Sequence, residues 1–160
     1  MITKQILNEL FTYKNGALIW AKQLSFRACV GNKAGSIRKD GYGQVGINGV
    51  DYLLHKLIFI YHHGYMPKYI DHIDGNPSNN CIENLRECTN QQNSFNSKIS
   101  KNNTSGIKGV TWDSSRSKWQ AKCMLNNKTL HLGRFSDIKD AENAVKLARQ
   151  TYHGQFARHQ

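Results

Sequence analysis

Four polar side chains between residues 69 and 96 are of types that could bind a metal ion and transfer a proton. Asp71 and His72 are adjacent in a short apolar run, Asn84 lies 13 residues after Asp71, and Asn93 lies 9 further on. Asp71 offers a carboxylate and Asn93 a carbonyl oxygen, and such hard ligands suit Mg²⁺ or Mn²⁺ better than zinc. His72 can take up a proton near neutral pH. These residue types therefore suggest a divalent metal ion close to a histidine that can accept a proton.

Neighbouring polar residues have roles that the sequence leaves open. Asn84 has donor and acceptor atoms that could fix either the imidazole or the polar loop before it. Arg86 could contact a phosphate of the scissile strand or pair with a nearby carboxylate. Asp74 has a short side chain that is more typical of a loop cap than of a metal ligand. His55, at the start of a helix predicted over 55–63, could face the site or simply pack.

The stretch DHIDGNPSNNCIENLR, followed by the Asn of QQN, resembles the HNH nuclease motif in the variant with Asn at its third position. Its sequence is similar to that of the phage and intron-encoded homing-endonuclease branch of that family. The resemblance implies a ββα-metal unit over 69–96, in which Asp71 and Asn93 hold one Mg²⁺ or Mn²⁺ ion. It further implies that His72 activates water, that Asn84 orients it, and that DNA is cut to 5′-phosphate and 3′-OH ends.

The charge of the chain favours nucleic acid as a partner. The formal net charge is +11, and a strongly basic protein binds DNA or RNA more readily than a membrane surface. Residues 1–100 contain 11 Lys and Arg against 7 Asp and Glu, whereas residues 101–160 contain 11 against 4. The shorter C-terminal part therefore has the higher density of net positive charge.

The four cysteines show no C-x-x-C spacing, so a Cys₄ zinc site is not expected. We expect reduced thiols in a cytoplasmic protein, in a bacterial host if the gene is phage-encoded. The sequence starts with an amphipathic segment instead of a signal-peptide pattern, and its apolar runs stay well short of the roughly 20 residues that span a bilayer. A membrane partner is not expected.

Local patterns in the first hundred residues predict a small mixed domain. Asn48-Gly49 between two alternating runs is a strong hairpin signal, and Gly64 should end the following helix. Residues 21–33 are irregular and basic, and no element is predicted there. The predicted elements are a helix over 3–11, a strand over 17–20, strands from 35 to 54, the helix over 55–63, and strands at 70–73 and 85–89 followed by a helix.

After Gly106 the pattern changes to three short alternating runs and a helix that begins near Asp137. The segments SGIKGV, KWQAKC, LHLGRF and DIKDAENAVKLA, ending in YHGQFA, are similar to an Apetala2-type DNA-binding domain. That family reads the major groove with the outward face of its sheet. The resemblance implies DNA contacts by Lys108, Thr111, Lys118, Gln120, Lys122, Thr129 and His131. Thr111 and Thr129 stand where arginines are usual, so the family's sequence preference is not transferred.

Together these patterns predict an α+β chain in two parts. Residues 1–97 should form the HNH nuclease domain with its ββα-metal motif, 98–105 a linker, and 106–160 a three-stranded antiparallel sheet packed on one helix. The linker composition, with Lys98 and Lys101, suits either a phosphate contact or a solvated tether.

The predicted function is that of a metal-dependent DNA endonuclease of the HNH homing type, with its site on double-stranded DNA selected by the C-terminal domain. One site and one C-terminal domain predict a monomer that nicks one strand. The alternative is a DNA-binding regulator with an inactive HNH motif. A third possibility, a zinc-dependent RNA-binding module, is disfavoured by the unpaired cysteines and the oxygen-rich ligand set.

Overall fold

Small antiparallel sheets and four α-helices make up the computed structural model, which describes residues 2–97 and 99–158. The α+β class predicted from the sequence is confirmed. Backbone proximity divides the chain into Met1–Cys88 and Thr89–Gln160, called here the first and second units. Lys98, at which the predicted linker begins, lies outside the described residues, and the predicted domain limits stay a prediction.

The first unit contains three separate antiparallel sheets and two helices. Its elements are α1 (Lys4–Leu10), β1 (Phe11–Lys14), β2 (Ala17–Trp20), β3 (Ser36–Ile37), β4 (Gly43–Ile47), β5 (Val50–Leu53), α2 (Leu54–His63), β6 (Tyr69–His72) and β7 (Leu85–Cys88). In the three sheets, β1 pairs with β2, β4 lies between β3 and β5, and β6 pairs with β7.

Tight turns and helix ends in this unit follow from local chemistry. Asn48 and Gly49 have φ values of 50° and 77°, the left-handed pair that a two-residue hairpin turn between twisted strands requires. Gly64, with φ 81°, ends α2, and its N–H bonds the carbonyl of Ile60 at 2.8 Å. Both sequence predictions are confirmed.

Helix α2 is the centre of the first core. Leu57 and Ile58 have no exposed surface, and they belong to one cluster with Leu7, Phe11 and Leu18. Each such side chain contributes roughly 1.5–3 kcal/mol when it leaves water. Because the cluster continues to Leu85 of β7, the β6–β7 hairpin is fixed against the same core that holds α2.

The second unit consists of a short helix, a three-stranded antiparallel sheet and a long helix. The elements are α3 (Asn90–Phe95), β8 (Val110–Asp113), β9 (Lys118–Leu125), β10 (Lys128–Phe135) and α4 (Ile138–His153). The central strand of the sheet is β9, in the order β10–β9–β8. Asp137 caps α4 by accepting the Lys139 N–H at 2.7 Å, as the sequence predicted.

Small residues form the core of the second unit. Val110 of β8, Ala121 of β9, and Ala141 and Val145 of α4 have no exposed surface and form one cluster. Short side chains let a helix approach a sheet closely. Because successive side chains of a strand leave opposite faces, the longer polar residues lie on the other face of the sheet.

Candidate active site

The β6–β7 hairpin positions Asp71 and His72. Asp71 lies opposite Arg86 and His72 opposite Leu85 in the antiparallel register. Because successive side chains of a strand leave opposite faces, Asp71 meets Arg86 across the hairpin, whereas His72 faces α2. Asp71 and His72 are only 5% and 6% exposed, so both require polar partners within the protein.

Arg86 is the partner of Asp71. Its Nη2 and Nε atoms donate to Oδ2 of Asp71 at 2.6 and 2.8 Å. Of the two roles left open for Arg86, the structure contains the ion pair with a carboxylate. Removing one member of such a buried pair typically costs about 3–5 kcal/mol, since the other charge is left uncompensated.

Asn80 sets the hydrogen-bonding state of His72. The Nε2 atom of His72 lies 3.1 Å from Oδ1 of Asn80, whose side chain is 3% exposed. A carbonyl oxygen can only accept, so Nε2 carries the hydrogen in this pair. In the neutral imidazole the remaining nitrogen, Nδ1, is then the basic one. His72 is therefore held in the tautomer in which Nδ1 can take a proton.

Asn84 fixes the loop that contains Asn80, and not the imidazole itself. Its Nδ2 donates to Oδ1 of Asp74 at 3.0 Å and to the carbonyl of Asn79 at 2.8 Å. Its Oδ1 accepts the N–H of Asp74 at 3.0 Å. Asn84 is 8% exposed, and these three bonds hold both ends of the loop over 74–80. Its connection to His72 runs through this loop.

Asp74 is a loop cap in the structure, as its short side chain suggested. It accepts the Asn76 N–H at 2.8 Å and the Asn79 Nδ2 at 2.7 Å. Burial by itself would raise the pKa of Asp74, but the hydrogen bonds from Asn76, Asn79 and Asn84 outweigh it and lower the pKa. Asp74 thus stays ionised and holds the loop.

His55 lies beside His72. The two rings are edge to face with centroids 5.2 Å apart, and Tyr42 lies 5.4 Å from His55 and 5.9 Å from His72. His55 is 5% exposed, and within the described part of the chain its Nδ1 has no hydrogen-bond partner. Burial, then the charges of His72 and Lys56, lowers the pKa of His55 to about 4, so the ring is neutral near pH 7.

Asn93 is an exposed residue of α3 and belongs to the second unit. Thr89 begins this helix with a capping box, since its hydroxyl accepts the Gln92 N–H at 3.2 Å while the Gln92 side chain accepts the Thr89 N–H at 2.7 Å. The helix predicted to carry Asn93 is therefore present, and the capping signal T-x-x-Q accounts for its start.

The donor types of Asp71 and Asn93 fit Mg²⁺ or Mn²⁺. Magnesium keeps several waters and takes few protein ligands, usually one or two carboxylates together with phosphate oxygens of the substrate. Among the described residues no cluster of three or more His, Cys, Asp or Glu could hold a metal ion. At Oδ2 of Asp71 a cation would share the carboxylate with Arg86.

The strand register of the second unit brings most of the predicted DNA-contacting side chains to one face. Thr111 lies opposite Gln120, and His131 lies opposite Lys122. Lys118 and Thr129 extend the face along β9 and β10. Thr111, Lys118, Thr129 and His131 are exposed, and Gln120 and Lys122 are half-buried.

Arg134 joins this face, although the alternation of β10 did not assign it there. The register shifts between His131 and Gly133, so that Arg134 lies opposite Gln120. Such a bulge adds one residue to a strand and reverses which residues point outward. Asp113 accepts from Nε of Arg134 at 3.0 Å, and hydrogen bonds from Ser115 and Arg134 lower the pKa of Asp113 to about 2.

Lys108 does not join this face. Its Nζ donates to the carbonyl of Phe95 at 2.8 Å and to that of Ser97, at the C-terminal end of α3. Burial, then the charges of Arg149 and Arg158, lowers the pKa of Lys108 to about 8. In the structure its ammonium group thus caps the end of α3, where carbonyl groups and the helix dipole favour a cation.

Comparison with known proteins places this site in a family. The family model described as "HNH endonuclease" matches residues 52–95, a range that contains Asp71, His72, Asn84 and Asn93. "Protein 3.8" of Escherichia phage T7 is 42% identical over 97 residues, which are 59% of this chain and 79% of that protein. The chain therefore contains an HNH endonuclease domain over residues 52–95, and it is related to this phage protein.

A viral protein is also similar. The "Uncharacterized HNH endonuclease L560" of Acanthamoeba polyphaga mimivirus is 33% identical over 107 residues, which are 65% of this chain and 54% of that protein. The match thus spans about half the length of this relative. No solved structure matches the chain. In the described residues no helix has the length and apolar character needed to cross a membrane.

Proposed function

We propose that this chain is a metal-dependent DNA endonuclease of the HNH homing type. The observation that carries the proposal is the buried Asp71–His72 pair at the end of β6, with His72 held by Asn80 in the tautomer of a base. The match of residues 52–95 to the HNH endonuclease family supports the same reaction class.

His72 is the general base in this proposal. Its Nδ1 takes a proton from a water molecule that attacks the scissile phosphate in line, and the resulting imidazolium strengthens the Nε2–H bond to Asn80 because the donor becomes charged. Asn84 acts on the base through the loop over 74–80, which it fixes with three hydrogen bonds. The neutral His55 adds no opposing positive charge beside the imidazolium.

Asp71 and Asn93 are the proposed ligands of a single Mg²⁺ or Mn²⁺ ion. When bound, the ion supplies charge stabilisation at the phosphate and at the departing 3′ oxygen. Before the ion binds, Arg86 neutralises the charge of Asp71. After the ion binds, the guanidinium of Arg86 can move to a phosphate oxygen of the scissile strand, the second of the two roles considered for it above.

Targeting is assigned to the second unit. Thr111, Lys118 and Gln120 belong to one face of its sheet, together with Lys122, Thr129, His131 and Arg134. A sheet that presents lysine, amide and imidazole groups on one face fits the major groove of double-stranded DNA, as the Apetala2 resemblance implies. The chain then acts as a monomer that selects its site with this face and nicks one strand.

A DNA-binding regulator with an inactive HNH motif is the second candidate. It is favoured by the close Asp71–Arg86 pair, because a guanidinium 2.6 Å from the carboxylate competes with a metal ion for the same oxygen. A protein of this kind would bind the same DNA without cutting it.

Cleavage of genomic DNA separates the two candidates. The protein is incubated with bacterial and phage genomic DNA in the presence of Mg²⁺, and the breaks are mapped by end sequencing. We expect discrete breaks with 5′-phosphate ends that disappear in EDTA, return with added Mg²⁺, and are absent with the His72→Ala variant. DNA that is bound but intact over the whole Mg²⁺ and Mn²⁺ range would support the regulator.

A further inference from the structure

The loop over residues 21–33 holds a cluster of features that the proposed active site does not use. It follows β2 and contains no helix or regular strand. Between residues 21 and 40 there are five lysines and arginines and one aspartate, whereas the remainder of residues 1–100 has six of each charge. The whole net positive charge of residues 1–100 therefore lies in and directly after this loop.

Exposed apolar side chains occupy the same loop. Phe26 is 95% exposed, Val30 is 60% exposed and Leu24 is 40% exposed. Single exposed apolar residues are common on protein surfaces. A phenylalanine with almost no protein contact, next to Arg27 and close to Lys22, is a more specific combination, since it offers an aromatic ring and cations together.

The loop is anchored at its base and presents Phe26 at its tip. Trp20 donates its N–H to the Asn32 carbonyl at 3.0 Å and accepts the Gly31 N–H at 2.8 Å. Nearer the tip, the Ala28 N–H bonds the Ser25 carbonyl at 3.2 Å, and the Ala28 side chain is buried in the core of the first unit. An ordered loop loses less conformational freedom on binding than a free chain does.

We propose that this loop docks on double-stranded DNA, with Phe26 inserted between two base pairs as a wedge and Arg27 on a neighbouring phosphate. Proteins that bend DNA insert apolar side chains, phenylalanine among them, between base steps, while cations contact the flanking backbone. The proposal rests on the proposed function, because it takes DNA as the substrate.

Charge and area favour DNA over other occupants. A polyanion matches the three cations of the loop, Lys22, Arg27 and Lys33, and a single wedge uses one exposed ring without a large apolar surface around it. A protein partner would require an interface of at least about 1,000 Å² with several apolar anchors. The loop exposes only three large apolar side chains, Leu24, Phe26 and Val30.

Plasmid unwinding tests the wedge without any cleavage. An inserted side chain unstacks a base step and unwinds the duplex, and closing the circle in that state changes its linking number. Relaxed plasmid is incubated with the protein and a metal-independent topoisomerase in EDTA, then freed of protein and analysed on a gel. We expect the wild-type chain to change the linking number in proportion to the amount bound. His72→Ala should do the same.

Variants of Phe26 make the test specific. Phe26→Ala should abolish the linking-number change and weaken binding to a mixed-sequence 30-bp duplex roughly 10-fold, within the range found for loss of one stacked aromatic. Phe26→Leu should retain most of the unwinding, because leucine is also a wedge residue. Leu147→Ala, at a 66% exposed position on α4, is the matched control and should behave as wild type.

Failure of the wedge and failure of the nuclease are distinguishable. An unchanged linking number with wild-type protein that saturates the plasmid, or equal unwinding by Phe26→Ala, overturns the wedge even if the protein cuts DNA with Mg²⁺. Unwinding that depends on Phe26 in a protein that never cuts DNA upholds the wedge and rejects the nuclease. Thermal melting of Phe26→Ala should match wild type, since the side chain makes almost no contact.

Discussion

The Nε2 atom of His72 lies 3.1 Å from the Oδ1 atom of Asn80, and both side chains are more than nine-tenths buried. This hydrogen bond assigns the hydrogen to Nε2 and leaves Nδ1 as the basic nitrogen of the neutral ring. Asn84 supports it from a distance by holding Asp74 and Asn79. The arrangement resembles the general logic of a base oriented by a third group, with an amide in place of the usual carboxylate.

Replacing His72 by Ala should reduce cleavage by roughly 10²–10⁴-fold, because that is the usual contribution of a positioned general base. DNA affinity should stay within a few-fold of wild type, since cations elsewhere carry binding. Single-turnover cleavage and equilibrium binding in EDTA measure the two quantities. His63→Ala is the control, because His63 is an exposed histidine at the end of α2. Wild-type rates from the His72 variant would exclude it as the base.

Asn80→Leu should show how strongly the cleavage rate depends on the orientation of His72, because His72 itself is unchanged in this variant. Loss of the acceptor leaves the Nε2 hydrogen buried without its partner, which typically costs about 1–3 kcal/mol of unfolding free energy. We expect the single-turnover rate to fall about 10-fold or more, with little change in DNA affinity, because His72 can then rotate or change tautomer. Urea unfolding and cleavage kinetics measure both effects. A variant that loses stability but cleaves at the wild-type rate would limit Asn80 to a structural role.

Arg86→Met tests whether the guanidinium competes with the metal ion. Removing the charge 2.6 Å from Asp71 should lower the Mg²⁺ concentration for half-maximal cleavage, while loss of the buried ion pair destabilises the metal-free protein by about 3–5 kcal/mol.

Asp71→Ala and Asn93→Ala should shift the Mg²⁺ requirement upward or abolish activity. A Mg²⁺ titration of cleavage, with melting curves taken with and without Mg²⁺, checks all three variants. An unchanged requirement in Asp71→Ala would remove Asp71 from the ligand set.

His55 should make the stability of the chain depend on pH between about 4 and 6.5. Its pKa is about 4 in the folded state against 6.5 in an ordinary histidine, so below pH 6.5 the unfolded chain binds more protons. Stability should therefore fall as pH drops from 6.5 towards 4. The full difference between the two pKa values corresponds to roughly 3 kcal/mol of unfolding free energy.

His55→Phe gives the comparison for this effect. Urea midpoints of wild type and variant are measured at pH 7.5 and pH 4.5, and their difference isolates His55 from other groups that titrate in the same range. We expect the variant to lose less stability than wild type over this interval. Parallel pH profiles of the two proteins would show that His55 is not buried as a neutral ring.

Local signals account for the parts of the fold and site that the sequence predicted. Asn48-Gly49 has the backbone freedom of a hairpin turn, Gly64 ends a helix, and Asp137 caps one, each through interactions within a few residues. Asp71 and His72 are likewise adjacent in sequence, and both are buried at the end of β6. Their roles in a site stay a prediction.

Local sequence patterns did not predict the contacts that arise only when distant segments pack together. His55 meets His72 because α2 packs in the core that also holds β7, and no local pattern gives that contact. Arg134 reaches the polar face only because a bulge changes the register of β10. Lys108 follows the outward pattern of its segment, but the carbonyls at the end of α3 bind its ammonium group.

We expect the chain to cut one DNA strand at a time. The chain has one Asp-His…Asn…Asn set, and one such set attacks one phosphodiester at a time. With one proposed DNA-reading face per chain, a monomer would have no two-fold symmetry to match a palindrome. We therefore expect supercoiled plasmid carrying the mapped site to accumulate nicked circles well before linear product, at a rate proportional to protein concentration. The time course is followed on agarose gels, with a plasmid lacking the site as control. Linear product formed at once, with a steep dependence on protein concentration, would instead indicate a dimer that cuts both strands.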